Sequence, residues 1–411
     1  MLLNHVEPEE KQFEDYKTLI ENSLYAEIKN RSQRLAGLKI AQLNAAASGG
    51  GVVELLRSFI PLLNDLGIKT DWYTLSAPTA FFEITKKMHN FLQGGKGKLT
   101  QEEKDFYFKY NCYFAEEMKE IKTDLWVIHD PQPAAIILYG NPHPLIWRCH
   151  LDTSESNNWI QGFFSFLKDY DKYIFSLPQY AFPDLDKRKV AIFPPAIDPF
   201  TPKNQPLDSS LAEGIMAKLG VNPSKPIITQ VSRFDPWKDP LGVIEAYQLA
   251  KKEISDLQLI LTGEMAADDP EGQRILEDVK KVAGSDPDIH LWADEKRDDL
   301  KINAVQVASD IILQKSLKEG FGLTVTEAMW KGKVVIGGNC GGIKFQIKDG
   351  KNGFLVNSPE EAAQKIIWTL KNPEKAEIIG QRAKKTVRKN FLIPRLLNDA
   401  LKLFEELLAV K

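Results

Sequence analysis

Two glutamates, Glu319 and Glu327, lie in "KEGFGLTVTEAMWKG" with seven residues between them, and Gly320-Phe321-Gly322 follows the first. The glycines permit a tight turn and close backbone approach. "LTVTEAMWKG" has the pattern of a helix running to about Lys331. Its start, at Gly322, Leu323 and Thr324, would offer N–H groups and a positive helix end to an anion. Glu319 precedes that helix and Glu327 lies about one turn inside it. A carboxylate can accept two hydrogen bonds from a diol, which a sugar ring or a ribose supplies. The plain alternative makes Glu319 a surface charge and Glu327 a helix-dipole partner; the surrounding glycines favour the ligand site.

A second group of charges stands in "VSRFDPWKDP". Arg233 and Lys238 follow an apolar strand and could neutralise the charge developing on a diphosphate leaving group. A lone cation in a loop is ordinarily solvated, but Pro236 and Pro240 stiffen this one. Nearer the N-terminus, Gly49-Gly50-Gly51 opens a helix after a strand. It could approach a phosphate or be a simple tight turn. The spacing is not that of a dinucleotide fingerprint, and the next strand, "KTDWYTL", offers only Asp71, early in its length.

Six histidines are present. His129 and Asp130 end one strand, and His150 and Asp152 end the next, which suits sugar hydroxyls or proton handling. Neither "HDPQP" nor "RCHLD" has zinc-ligand spacing, so no metal site is expected. His5, His89, His143 and His290 read as surface or structural. Asp184-Leu185-Asp186 and Asp286-Pro287-Asp288 read as solvated turns rather than a metal-holding Asp-x-Asp.

These side chains need elements to place them. Residues about 8–35 are polar and helical in pattern. "LKIAQLNAA", the glycine turn, "VVELLRSFIPLLNDLG" and "KTDWYTL" then form a strand, helix, strand unit, the mark of a parallel sheet. "DLWVIHD", "LIWRCHLD", "YIFSLPQY" and "VAIFPPAID" read as further strands. Pro194-Pro195 and the polar run "PFTPKNQPLDSS" mark a boundary. The second half repeats the plan with "KPIITQVSRF", "LQLILTG", "DIHLWA", "ASDIILQKS" and "KVVIGG". Asp239 is placed as the N-cap of the helix beginning at Pro240, and Ser358 to Glu361 as a capping box. The expected domains are 1–200 and 201–389. Both are doubly wound α/β, and ligands of such sheets bind beyond the C-terminal strand ends. Two such halves facing each other would hold a ligand in the cleft between them.

Composition bounds the rest. The chain has 411 residues, 43% apolar and 27% charged, with net charge −3. That fits a two-domain soluble protein and gives no reason to expect nucleic acid or an anionic membrane as partner. Three scattered cysteines fit a reducing compartment. The acidic start lacks a secretory pattern, and no apolar run approaches the ~20 residues of a membrane span. The expectation is cytoplasmic.

Taken together, these residues resemble a retaining glycosyltransferase of GT-B architecture, from the family that includes sucrose synthase and glycogen synthase-like enzymes. "EGFGLTVTE" is similar to that family's two-glutamate element and "VSRFDPWKDP" to its Arg–Lys phosphate clamp. "GGNCGGIKFQIKDGKNGFLV" is similar to the stretch that follows, with Lys344 where proline or arginine is frequent. Within the family, "LNAAASGGGVVELL", "IHDPQP", "WRCHLD" and "VSRFDPWKDPLGVI" resemble the trehalose-forming glycosyltransferring synthases and the related phosphorylases. The resemblance implies a GT-B fold of two Rossmann-like, doubly wound domains facing across a cleft, with a C-terminal helix, residues 390–411, returning to the first domain. It implies transfer of glucose from a nucleoside diphosphate glucose, UDP- or ADP-glucose, to free glucose, giving α,α-trehalose. By it, Arg233 and Lys238 bind the diphosphate, Gly50 and Gly51 approach the distal phosphate, and Glu327 holds the ribose. Glu319 contacts the donor glucose; His150 and Asp130, with Asp152, serve the donor glucose and the acceptor. "DIHLWA" is the expected neighbour of the base. No cofactor is required, Mg2+ could accompany the nucleotide, and a homodimer is the expectation for assembly.

The rival readings are a trehalose phosphorylase of the same fold and a family member with another acceptor. From other classes come a glycoside hydrolase, which would need two carboxylates and no phosphate clamp, and an exported two-domain sugar-binding protein.

Overall fold

The structure is a computed structural model describing residues 2–48, 50–140, 144–264, 270–294 and 298–408; Gly49 and His143, singled out above, lie outside them. The chain divides into two compact units, Met1–Ala196 with Ile393–Lys411, and Ile197–Leu392. Pro194-Pro195 thus closes the first unit, and "PFTPKNQ", expected to straddle a boundary at residue 200, falls within the second.

The first unit is built on β1 (Leu3–Val6), β2 (Lys39–Asn44), β3 (Lys69–Leu75), β4 (Leu125–His129), β5 (Leu145–Cys149), β6 (Lys172–Phe175) and β7 (Val190–Ile192). Their spatial order is β1-β3-β2-β4-β5-β6-β7. All pairings are parallel except β1 with β3. The central strands are apolar on both faces because both are covered, as parallel sheets require. One face packs Trp126, Trp147, Phe81, Tyr107 and Phe114. The other packs Phe59, Leu62, Leu396, Leu397 and Phe404. The last three belong to the helix Ile393–Leu408, which completes this unit from the far end of the chain. Arg31 and Arg34 of the helix Asn22–Arg34 both pair with its Glu405.

The N-terminal region corrects the helical reading of residues 8–35. Only Asn22–Arg34 is α-helix, preceded by a single turn, Phe13–Tyr16. Phe13 and Tyr16 are buried, and Phe13 N–H donates to Asp65 Oδ2 at 2.8 Å. Tertiary packing overrides local preference there. The edge strand β1 carries no sequence signal because it exists only through its antiparallel partner β3.

The second unit holds β8 (Ile227–Val231), β9 (Gln258–Glu264), β10 (Ile289–Asp294), β11 (Ile311–Gln314), β12 (Val334–Gly338) and β13 (Phe354–Val356). All are parallel, in the order β10-β9-β8-β11-β12-β13. This is the doubly wound arrangement, and the direction of winding reverses between β8 and β11. Ligands of such sheets bind beyond the strand ends at that reversal. In the first unit the corresponding point lies between β2 and β4.

Candidate functional site

At the reversal in the second unit, the loop after β8 folds around Asp235. Its carboxylate accepts from the N–H groups of Trp237 at 2.9 Å and Lys238 at 3.1 Å, closing the turn Pro236–Lys238. Asp239 then adopts φ 50 and caps the helix Pro240–Lys251 by accepting from Gly242 N–H. This loop is stitched to the one after β11. Buried Gln230 donates from Nε2 to the Lys238 carbonyl at 2.9 Å and accepts at Oε1 from Lys315 N–H at 3.1 Å. Leu317 N–H donates to the Trp237 carbonyl at 2.8 Å, and Lys315 pairs with Asp239.

The stitching delivers Lys238 Nζ to Glu319 Oε2 at 2.6 Å. Ser316 Oγ at 3.3 Å and Gln314 Nε2 at 3.4 Å approach the same oxygen. Arg233 is placed differently: its side chain is 67% exposed and only touches Asp235 Oδ2, at 3.4 Å. The structure joins Lys238 to Glu319 and leaves Arg233 exposed, outside that contact.

Gly322 adopts φ 83 at the start of the helix Leu323–Trp330 and brings no side chain to cap it. The opening N–H groups, at Leu323 and Thr324, are therefore not taken by a capping side chain, which is what an anion site needs. The "GGI" stretch braces this turn. A Cβ on Gly342 would fall 2.4 Å from Phe321 Cα, and Gln346 Nε2 donates to the Phe321 carbonyl at 2.6 Å. Lys344 simply continues the short helix Gly341–Gln346. Glu327 is buried, with Oε1 2.5 Å from Lys203 Nζ.

In the first unit, Gly50 and Gly51 are the opening residues of the helix Gly50–Asp65 rather than a turn before it, with Gly50 at φ 77. The ends of β4 and β5 carry the histidine cluster. His129 Nε2 lies 2.8 Å from Gln42 Oε1, and His129 Nδ1 lies 2.9 Å from His150 Nε2. A glutamine carbonyl oxygen can only accept, so His129 carries its proton on Nε2 and accepts at Nδ1 from His150 Nε2–H. That leaves His150 Nδ1 as a lone pair. Burial holds both imidazoles well below the usual histidine range, and the nearby Arg148 guanidinium adds to the effect.

Asp130 sits beside them at φ 63, and its Oδ1 accepts from His150 N–H at 2.8 Å. Burial pushes its carboxyl up to about 7, against the His150 N–H and Arg148, which act the other way. Asp152 is also buried, but its Oδ1 is spent on Ser154, at 3.0 Å to N and 2.6 Å to Oγ.

The other described histidines and the two Asp-x-Asp pairs lie in surface or packed settings of their own. Burial drives His89 down to about 4, and it meets Gln132 at 3.0 Å. His5 is exposed and His290 half-buried. Asp186 pairs with Arg188, and Asp286 and Asp288 both take Lys251. Among the described residues no cluster of three His, Cys, Asp or Glu could hold a metal, and no helix is long and apolar enough to cross a membrane.

Sequence reasoning missed Gln42, Gln230, Gln314 and Lys203. A signal existed for the glutamines: each interrupts an apolar strand near its C-terminal end, in "KIAQLN", "IITQV" and "IILQ". None existed for Lys203, which stands in a polar, proline-rich run.

Comparison with known proteins bears on the whole chain. Residues 42–182 match the family described as "Trehalose synthase, N-terminal domain", and residues 212–386 match "Glycosyl transferases group 1". A trehalose synthase of Pyrococcus horikoshii is 44% identical over 404 residues, covering 97% of each chain. One from Rubrobacter xylanophilus is 40% identical over 417 residues, covering 100% of each. A glycosyltransferase of Rickettsia africae shares the fold with a TM-score of 0.68 at 23% identity, over 90% of this chain and 98% of that one. Two doubly wound, largely parallel sheets of this kind are the GT-B fold, and the glycosyltransferase domain match together with the trehalose synthase relatives makes the chain a glycosyltransferase. The chain belongs to the trehalose synthase family, and its chemistry is glycosyl transfer related to trehalose.

Proposed function

We propose that this protein makes α,α-trehalose by moving glucose from UDP- or ADP-glucose to the anomeric hydroxyl of free glucose, with the donor's α configuration retained. The observation that supports this most is the Lys238–Glu319 pair beside the uncapped helix start at Gly322. In this reading the donor's diphosphate takes the place of Glu319 at Lys238, with Arg233 swinging in and the N–H groups of Leu323 and Thr324 behind it. Gly50 and Gly51 let backbone approach the distal phosphate. The displaced Glu319 then accepts from donor glucose hydroxyls, and Glu327 takes the ribose diol. Mg2+ would arrive on the diphosphate rather than on a protein-held site.

The chemical step breaks the bond between C1 and the phosphate oxygen and forms one from C1 to the acceptor oxygen on the same face. The acceptor's proton passes to the departing phosphate. The leaving group is already a good one, so the protein's main task is to stabilise its charge. In the first unit, His150 Nδ1 is a ready acceptor for a sugar hydroxyl, and Asp130 and Asp152 add carboxyl groups nearby.

The test is the purified protein with UDP-glucose or ADP-glucose plus free glucose, products separated and the new linkage assigned by NMR. Formation of α,α-trehalose with release of the nucleoside diphosphate is expected. Production of glucose 1-phosphate from trehalose and phosphate, with no turnover of either nucleotide sugar, would overturn the reading in favour of a phosphorylase.

A further inference from the structure

We propose that Lys203 is a positioning residue for nucleotide recognition: it supplies the countercharge to Glu327 and fixes which carboxylate oxygen is left for the ribose diol, so that the preference for ribo over 2′-deoxyribo donors depends on it. The proposal rests on the ribose role given to Glu327 above.

Lys203 comes from a stretch whose composition suggests a loose linker, yet the structure pins it. Asp198 Oδ1 accepts from Phe200 N–H at 2.9 Å, and Asn204 Nδ2 donates to the Asp198 carbonyl at 3.1 Å. Asn303 Nδ2 donates to the carbonyls of Pro202 and Gln205, each at 2.9 Å. Trp330 Nε1, on the same helix as Glu327, donates to the Asn204 carbonyl at 3.2 Å. The segment is thus fastened on both sides of Lys203, and its ammonium reaches Glu327 Oε1 at 2.5 Å. Lys331, one turn beyond Glu327, also acts on that carboxylate through its charge, but its Nζ hydrogen-bonds Gln306 Oε1 at 2.8 Å and Lys203 is the cation in direct contact.

Burial makes this pair consequential. The side chains of Lys203 and Glu327 are 9% and 3% exposed. A carboxylate so desolvated is strongly unfavourable without a countercharge, and removing one member of such a pair leaves the other uncompensated. Each carboxylate oxygen has two lone-pair sites, so with Lys203 on Oε1 the group keeps acceptor capacity for hydroxyls. The surroundings are polar and incompletely satisfied: Asn204 Oδ1, Asn303 Oδ1 and Gln306 Nε2 are buried without a hydrogen-bond partner among the described residues.

The experiment measures, by calorimetry below each variant's melting temperature, the affinities of UDP, 2′-deoxy-UDP, ADP and 2′-deoxy-ADP. Wild type should favour the ribonucleotide by about tenfold, the value of one hydrogen bond to a charged acceptor. Lys203→Met should reduce that ratio to near one, and Lys203→Arg should restore most of it. If the methionine variant does not fold, Lys203→Gln, which keeps a donor without the charge, should lose most of the ratio instead. A mere structural tie would lower the melting temperature and weaken both nucleotides alike, leaving the ratio intact; that result overturns the proposal. Glu327→Gln separates the two layers. If it keeps the wild-type ratio, the ribose role of Glu327 itself is wrong; if it loses the ratio while Lys203→Met keeps it, only the role of Lys203 is wrong. Absence of any UDP or ADP binding sinks both.

Discussion

Lys238 and Glu319 are 81 residues apart in the chain, yet their Nζ and Oε2 atoms meet at 2.6 Å. Both side chains are largely shielded, 17% and 12% exposed. The pair satisfies each charge while no diphosphate is bound. Under the proposed function, an incoming diphosphate would displace Glu319 from Lys238 and release it for hydroxyl groups.

Lys238→Met should therefore lower kcat by about a hundredfold or more, the usual cost of removing one donor to a developing negative charge. The melting temperature should fall as well, because the shielded Glu319 carboxylate loses its countercharge and keeps only the neutral Ser316 and Gln314 beside it. Steady-state kinetics with the nucleotide sugar decides; a wild-type kcat would remove Lys238 from the chemistry.

Gly342→Ala should damage both stability and turnover. The new Cβ would lie 2.4 Å from Phe321 Cα and 2.7 Å from the Gly320 carbonyl oxygen, both backbone atoms that cannot swing aside. Overpacking of this kind costs about 1–3 kcal/mol. The displaced Gly320–Gly322 turn would carry Glu319 with it, so kcat should fall together with the urea midpoint. An unchanged midpoint would show that the turn yields more readily than its contacts indicate.

Phe404→Ala tests the part played by the returning helix. Phe404 is 2% exposed in the core it shares with Phe59 and Leu62. The truncation should cost about 3–5 kcal/mol. Phe59 and Leu62, which share a core with Phe404, lie more than two turns along the helix from Gly50, so nucleotide diphosphate affinity measured below the transition should stay near wild type. Loss of affinity without loss of stability would contradict this assignment.

Asp130 gives a pH signature whose sign follows from its burial. The carboxyl has a folded value of about 7 against 3.8 unfolded. Between those values the fold keeps a proton that the unfolded chain releases, so this group makes stability fall as pH rises from about 4 to 7. Asp130→Asn removes that slope, so the variant should gain on wild type across the window, by roughly 4 kcal/mol at the upper limit. The buried His129 and His150 act in the opposite sense, withdrawing stability as pH falls below the ordinary histidine value, and they do so in both proteins. Urea midpoints at pH 5 and pH 8 make the comparison; parallel pH curves for the two proteins would refute it.

What the sequence determined by itself was local and periodic. Apolar runs ending in polar residues located the central strands of both sheets, and Asp239 before Pro240 announced a cap that the structure shows. The glycines around Phe321 marked a turn and a helix start, because positive φ and an uncapped terminus are properties of a few adjacent residues. Only tertiary structure decided the rest. The strand Leu3–Val6 exists because β3 offers it an edge, and the last helix belongs to the first unit because Phe404 finds Phe59 and Leu62 there. Arg233 and Lys238, equivalent on the page, separate into an exposed residue and a shielded partner of Glu319, since side-chain direction depends on what the neighbouring loop presents. Lys203 was illegible for the same reason. Periodicity reports which face of an element is apolar, but an ion pair between residues 203 and 327 depends on how distant segments pack, and no local pattern encodes that.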